Sequence, residues 1–160
     1  MLYIKNFYKQ NFVTDSEIIH AIKRIPNSHL KGLEYIVYDP ERFFQRSYAN
    51  PKPINHAALG QYNQLPKKFI TIYRISSKED FFHVLYHEVG HHIFNHALDS
   101  KLKVQWVNDV YKNSLFFVSE YAKRNAQEDF CESYAAFYCN QKKLLKDQLK
   151  FTFIKKLCLK

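Results

Sequence analysis

Glycine and cysteine are both scarce in this chain of 160 residues. The three glycines, Gly32, Gly60 and Gly90, lie too far apart to form a G-x-G-x-x-G fingerprint or a phosphate-binding P-loop. The three cysteines form no C-x-x-C pair and leave one thiol over in any pairing. We therefore expect no dinucleotide or P-loop chemistry, no disulfide framework and no cysteine-rich zinc site, and a reducing compartment fits best.

Long apolar segments are also missing. Residues 1–13 alternate aromatic side chains with lysines and polar residues, and so lack the uninterrupted apolar core of a signal peptide. No segment approaches the roughly 18 apolar residues that a transmembrane helix requires. We expect a cytoplasmic protein. The alternative is export by a route that does not cleave a signal peptide. A hydrophobic fraction of 46% and a charged fraction of 24% favour one folded domain over residues 1–160.

Positive charge is concentrated at one end of the chain. The formal net charge is +9, and residues 142–160 contain seven lysines against the single Asp147. Apolar residues recur there every four positions, at Leu145, Leu149, Phe153 and Leu157. This spacing predicts a basic amphipathic helix over about 142–160 that packs on the core and keeps its lysines in solvent. Contact of this tail with nucleic acid, an anionic membrane or an acidic partner is the alternative.

Helix signals dominate the second half of the sequence. Capping boxes at Thr14/Glu17 and Ser76/Glu79 predict a helix near 15–25 and a long helix that ends at about Leu98. Further helical patterns cover 104–112, 115–124 and 126–141. Segments rich in β-branched and aromatic residues predict strands at 33–38, 57–62 and 69–74, the last two as a hairpin. Strands followed by helices indicate an α+β fold.

The long helix contains the motif His87-Glu-Val-Gly-His91. Residues four apart lie on one helical face, so both imidazoles can bind one metal ion, and zinc suits two imidazoles. Glu88 is rotated by about 100° from His87, which lets it act as a general base toward water at the metal without being a ligand. The pattern predicts one catalytic Zn²⁺ in a metal-dependent hydrolase.

A catalytic zinc takes three protein ligands and keeps one position open. The extended motif H-E-x-x-H-x-x-G-x-x-H fails here, because Phe94 and Ala97 occupy its glycine and last histidine positions. His96 would lie about 140° from His91 on an unbroken helix and would not reach the same ion. We expect His92 and His96 to be exposed or to support the ligands, and His83 to be packed, hydrogen-bonded or in the cleft.

Two glutamates on a later predicted helix supply the missing ligand. Glu128 and Glu132 are four residues apart and share one helical face. One carboxylate can bind zinc while the other accepts the N–H of a ligand histidine. Spacing alone does not decide which glutamate has which role.

These residues resemble a known family. An H-E-x-x-H helix followed by a glutamate on a later helix is the gluzincin arrangement, and the segment from Tyr121 to Tyr134 is similar to one in the anthrax lethal factor catalytic domain and the Pro-Pro endopeptidases. The resemblance covers roughly residues 56–141. It implies a zincin-like fold, in which a small twisted sheet packs on the active-site helix and the C-terminal half is mainly helical. It assigns Glu128 to zinc, Glu132 to a supporting hydrogen bond and Tyr121 to the oxyanion.

The resemblance also implies a zinc-dependent endopeptidase that acts on a protein or peptide, whose extended chain pairs with the strand before the active-site helix. Two alternatives stay open. One is a cytoplasmic regulatory protease that cleaves a repressor-type protein, since such proteases share H-E-x-G-H with a nearby histidine. The other is a non-catalytic basic protein with a structural or lost metal. Oligomeric state and cleavage-site preference have no signature in the sequence.

Overall fold

The computed structural model describes residues 2–42 and 59–159 and confirms the α+β class. The strands are β1 (Tyr3–Lys5), β2 (Tyr35–Tyr38), β3 (Gly60–Asn63) and β4 (Phe69–Ile72). The helices are α1 (Asp15–Lys23), α2 (Asn27–Leu30), α3 (Lys78–His92), α4 (Ser100–Gln105), α5 (Ala126–Cys139), α6 (Gln141–Leu144) and α7 (Gln148–Cys158). Short 3₁₀ turns cover Phe7–Lys9 and Tyr121–Arg124, and π-helical turns follow α3 and α4. The C-terminal half is therefore mainly helical.

The four strands form one mixed sheet in the order β1-β2-β4-β3. β1, β2 and β4 are parallel, and β3 runs antiparallel to β4. β4, the strand directly before α3, is paired on both sides and has no free edge, so it does not fit the expected substrate-pairing role. Among the described residues, the outer strand beside α3 is β3. The predicted hairpin is present as β3 and β4, but residues 57 and 58 lie outside the described part.

The core lies between the sheet and α3, with α5 packed on the other side of α3. Buried side chains of one cluster come from the sheet (Ile36, Ile70, Ile72), from α3 (Phe81, Leu85, Val89) and from α5 (Phe130, Tyr134). This arrangement buries the middle of α3 and of α5, the two helices that carry the candidate metal ligands. Within the described residues, none of the helices has the length and apolar character needed to cross a bilayer.

The predicted long helix needs correction at both ends. The cap of α3 is Ser77, whose side chain accepts the Asp80 N–H, while Ser76 donates to the Asp80 carboxylate. The predicted Ser76/Glu79 capping box is therefore wrong by one residue. Regular helix also ends early, because Ile93–Ala97 forms a π-helical turn before Leu98.

The helix predicted over 115–124 is absent apart from the turn at Tyr121–Arg124. Backbone groups there make tertiary contacts instead of helical ones. The carbonyl of Phe116, for example, accepts hydrogen bonds from Ser114 and from the Lys150 ammonium. The apolar residues of this segment pack in a small cluster with Ala136 of α5 and Leu144 of α6.

The basic tail is two helices, α6 and α7, rather than one. Asp147 interrupts the helix and caps α7 by accepting the N–H groups of Leu149 and Lys150. Phe153 and Leu157 are buried as expected, but Leu149 is 58% exposed. Lys150, expected in solvent, is fully buried and pairs with Asp129 at 2.7 Å.

Candidate metal centre

Helices α3 and α5 bring three candidate ligand atoms together. His87 Nε2 and His91 Nε2 are 3.2 Å apart. Glu128 Oε2 lies 3.3 Å from the first nitrogen and 3.4 Å from the second. The three atoms thus form a nearly equilateral triangle. Two ligands at about 2.0–2.1 Å from a tetrahedral zinc are separated by roughly 3.3–3.4 Å, so the triangle has the size of one face of such a site.

The chemistry of this triangle also fits a cation. Glu128 Oε2 is buried and has no hydrogen-bond partner among the described residues. Its polar neighbours are the two imidazole nitrogens at 3.3 and 3.4 Å, and a buried carboxylate oxygen without a hydrogen bond is costly unless a cation or water satisfies it. Two imidazoles and one carboxylate are a common ligand set of catalytic zinc sites, and they leave the fourth position free.

Glu132 orients the first histidine from the opposite side of its ring. Its Oε1 lies 2.7 Å from His87 Nδ1 and 3.0 Å from His83 Nε2. A carboxylate at Nδ1 holds a proton there and directs Nε2 toward the triangle, where it can bind a metal once its own proton is lost. The structure thus places Glu128 at the ligand side of His87 and Glu132 behind it, which spacing alone could not decide.

Gln127 supports the second histidine, and sequence reasoning missed it. Its side-chain amide lies 3.0 Å from His91 Nδ1. The two ends of an amide exchange by a 180° rotation, so its oxygen can accept the Nδ1 proton and leave Nε2 free to bind a metal. A glutamine beside a glutamate has no distinctive spacing. Its only signal in the sequence is its place in the first turn of α5, next to Glu128.

The start of α5 fixes this first turn. Asn125 caps the helix, and its side chain accepts the backbone N–H of Glu128. An N-cap sets the direction in which the first turn leaves the preceding loop. Tyr121 belongs to the 3₁₀ turn that ends at this same cap, so the loop and the ligand are tied together.

Electrostatics favours positive charge at the centre. Burial raises the pKa of Glu128, but the facing nitrogens of His87 and His91 outweigh it and lower the pKa to about 2. Burial lowers the pKa of His87, yet Glu128 and Glu132 more than compensate and raise it to about 10. Glu132 likewise has a pKa below its ordinary value because His83 and His87 outweigh its burial. A metal would compete with the His87 proton for this position.

His87 and His91, the two histidines of the triangle, line a cleft of about 420 Å³. Gly60, Gln61 and Tyr62 of β3 line one wall, and Tyr121 and Gln127 line another part. One wall of this cleft is an outer strand and its lining carries polar groups. Such a cleft suits the binding of an extended peptide chain.

Glu88 and Tyr121 lie at this cleft beside the triangle. Glu88 is 7% exposed, and burial raises its pKa, although the neighbouring His87 and His91 lower it. The ring of Tyr121 is centred 5.6 Å from that of His87. Burial raises the phenol pKa of Tyr121, so the hydroxyl stays protonated at neutral pH and can donate a hydrogen bond.

Two other donor sets share these histidines. Cys131 lies near His87 and His91, and His83 and Glu132 lie near His87, with ligand atoms within 4.8 Å of one another in each set. The Glu132 contacts of 2.7 and 3.0 Å are hydrogen bonds, shorter than the separation of two zinc ligands. Burial and the surrounding carboxylates raise the Cys131 pKa well above its ordinary value, which disfavours the thiolate that zinc requires. We therefore favour the triangle with Glu128.

The remaining histidines of the motif region differ from one another. His83 is half-exposed at the cleft and bonded to Glu132, within the range expected for it. His96 is exposed, as expected, with its ring near Tyr62. His92 is fully buried, so neither exposure nor support of the ligands describes it. It faces Tyr62 and the backbone of Lys31 instead of the metal centre.

The sequence matches no protein-family model, and no curated protein is significantly similar to it. Any functional conclusion for this chain therefore depends on the side-chain geometry and donor chemistry of the metal centre.

Proposed function

We propose that this protein is a zinc-dependent endopeptidase with His87, His91 and Glu128 as its metal ligands. The observation that carries the proposal is the triangle of their three ligand atoms, with sides of 3.2, 3.3 and 3.4 Å. Zinc bound there would lower the pKa of a coordinated water to about 7 and polarise the carbonyl of a scissile peptide bond.

Glu88 is the proposed general base. It follows His87 directly, so helix geometry places its carboxylate beside the ligand face without making it a third ligand. Burial raises its pKa, which improves a carboxylate as a proton acceptor at neutral pH. Glu88 would take a proton from the attacking water and return it to the leaving amine.

Tyr121 is the proposed oxyanion donor. Its protonated phenol lies at the cleft, and its ring is centred 5.6 Å from that of His87. A hydrogen bond that strengthens as charge develops on the carbonyl oxygen would stabilise the transition state, by roughly 10²- to 10³-fold in rate for a comparable donor.

Peptides are the proposed substrates because β3 forms a cleft wall. A strand can pair with an extended chain through its backbone, which holds substrate of varied sequence across the metal. Cleavage within a chain, rather than at its end, agrees with a cleft that is bounded by a strand.

The test uses purified full-length protein loaded with zinc and a library of unstructured peptides, with products identified by mass spectrometry. We expect internal cleavage by the wild type and none by Glu88→Gln, with about one zinc per chain in both. Tyr121→Phe should keep zinc and lose about 10²- to 10³-fold in kcat. An active Glu88→Gln variant, or a zinc-loaded wild type that cleaves nothing in the library, would overturn the proposal.

A further inference from the structure

His92 and Tyr62 form a buried pair that the proposed reaction does not use. His92 Nδ1 lies 3.0 Å from the Tyr62 hydroxyl, and His92 Nε2 lies 3.1 Å from the carbonyl oxygen of Lys31. A carbonyl only accepts, so Nε2 carries the proton and donates it. Nδ1 is then the acceptor for the Tyr62 O–H. Both polar positions of the imidazole are used, and His92 is 0% exposed.

Tyr62 contacts α3 at a second point, one turn before His92. Leu59 accepts the Tyr73 N–H, and residue pairs of an antiparallel ladder alternate between bonded and non-bonded. The backbone N–H and C=O of Tyr62 therefore point away from β4. The Tyr62 N–H is the backbone group that lowers the pKa of Glu88, against the larger opposing effect of burial.

The absence of a side chain at Gly60 lets β3 lie this close to α3. A Cβ at Gly60 would be 2.7 Å from Val84 Cγ1 and 3.1 Å from Glu88 Cγ. Glu88 and His92 are one helical turn apart and lie on the same face of α3. The strand is therefore held against the turn that carries Glu88 by close packing at Gly60 and by hydrogen bonding at Tyr62.

We propose that His92 is a positioning residue for Glu88, acting through Tyr62 and strand β3. This inference rests on the proposed function, in which Glu88 must hold one orientation toward water. The His92–Tyr62 hydrogen bond fixes the position of β3 along the axis of α3. The Tyr62 N–H then limits the orientations that the Glu88 carboxylate can adopt. Loss of the bond would let β3 shift, and displacements of about 1 Å at a catalytic group can cost roughly 10²-fold in rate.

The test compares Tyr62→Phe, His92→Phe and the double variant with a matched control, Tyr134→Phe. The Tyr134 hydroxyl and His29 Nδ1 lie at the same distance of 3.0 Å, in a buried pair that does not line the cleft. The first measurement is hydrogen exchange of the Tyr62 amide by NMR in zinc-free protein. The second is kcat, KM and zinc content of the loaded protein.

We expect Tyr62→Phe to speed exchange at the residue-62 amide at least tenfold and to lower kcat about 10- to 100-fold, with zinc retained and KM within about twofold. The double variant should lose no more than either single variant, because both remove one bond. Tyr134→Phe should change neither the exchange at Tyr62 nor kcat. Unchanged exchange at residue 62 in Tyr62→Phe, or an equal fall in kcat in Tyr134→Phe, would overturn the inference.

The two proposals fail separately. If wild type cleaves no peptide, the proposed function fails, while the exchange measurement still decides whether His92 and Tyr62 hold β3. If wild type cleaves peptides and exchange at Tyr62 changes without any change in kcat, the anchor exists but does not position Glu88, and the inference fails alone.

Discussion

Gly90 of α3 lies against the backbone of Cys131 in α5. A Cβ at Gly90 would be 2.9 Å from Cys131 Cα, closer than real Cβ atoms approach, and a tight 3.2 Å from its Sγ. Cys131 is three residues after Glu128 and directly before Glu132. The contact between the two helices therefore sets the distance from both glutamates to His87.

Gly90→Ala tests whether this contact positions the metal centre. The added methyl group meets backbone rather than a flexible side chain, so the helices must separate. We expect a loss of about 1–3 kcal/mol in the free energy of unfolding and weaker zinc binding. Urea denaturation and competition with a chromophoric chelator measure these two effects.

Cys131→Ala is the control for this variant, because it removes the thiol and keeps the backbone. It should retain one zinc per chain. Wild-type zinc affinity in Gly90→Ala would contradict the role assigned to the helix contact.

The histidine motif and its helix could be predicted because both depend on local spacing. His87 and His91 are four residues apart on α3. On a different helix, α1, the capping box of Thr14 and Glu17 is present as the sequence predicts. The α+β order also followed from local patterns. Spacing alone could not predict which glutamate faces which nitrogen, because that depends on how α5 crosses α3, and only the family resemblance supplied the assignment.

Other features could not be predicted from the sequence for the same physical reason, because they depend on contacts between residues that are distant along the chain. β1 has three residues, too few for a pattern, and its pairing with β2 is set by tertiary structure. His92 and Lys150 are polar residues that the fold buries with partners distant in sequence, Tyr62 and Asp129. Polarity predicts exposure at such positions, and long-range pairing overrides it.

Glu132→Gln tests the support of His87. The variant keeps an oxygen that can accept the Nδ1 proton but removes the charge that strengthens the histidine as a ligand. We expect zinc affinity to fall about 10- to 100-fold with the fold intact. Glu120→Gln is a suitable control, because Glu120 is exposed and its ion pair is with Lys123 rather than with a histidine. Equal zinc affinity in the two variants would exclude this role for Glu132.

Lys150→Met tests the buried ion pair that ties α7 to the ligand helix. Lys150 and Asp129 are both fully buried, and removal of one partner leaves an uncompensated charge. We expect a loss of about 3–5 kcal/mol in unfolding free energy. Adding Asp129→Leu should restore much of it, whereas the exposed Lys156→Met should change little. Equal stability of Lys150→Met and Lys156→Met would show that the pair contributes nothing.

His29 gives the protein a pH-dependent term in stability. Burial lowers its pKa below 6.5, although the backbone of Leu157 partly opposes this shift. His29 therefore binds a proton more weakly in the folded chain than in the unfolded chain. This term is fully present above the unfolded pKa and is lost as pH falls below about 6.5.

Urea denaturation of zinc-free protein at about pH 7.5 and pH 5.5 measures the His29 term. The wild type should lose more stability on acidification than His29→Gln, by at most about 1.4 kcal/mol per pH unit. His20→Gln, at an exposed position, should behave as the wild type. An identical pH dependence of wild type and His29→Gln would rule out the effect.

X-ray absorption at the zinc edge of zinc-loaded wild-type protein tests the metal centre most directly. We expect one zinc per chain with two imidazole ligands and only nitrogen or oxygen neighbours at about 2.0–2.1 Å. His87→Ala and Glu128→Ala should each lose the ion. A sulfur neighbour at about 2.3 Å, which would assign Cys131 as a ligand, or the absence of stoichiometric zinc, would contradict the account.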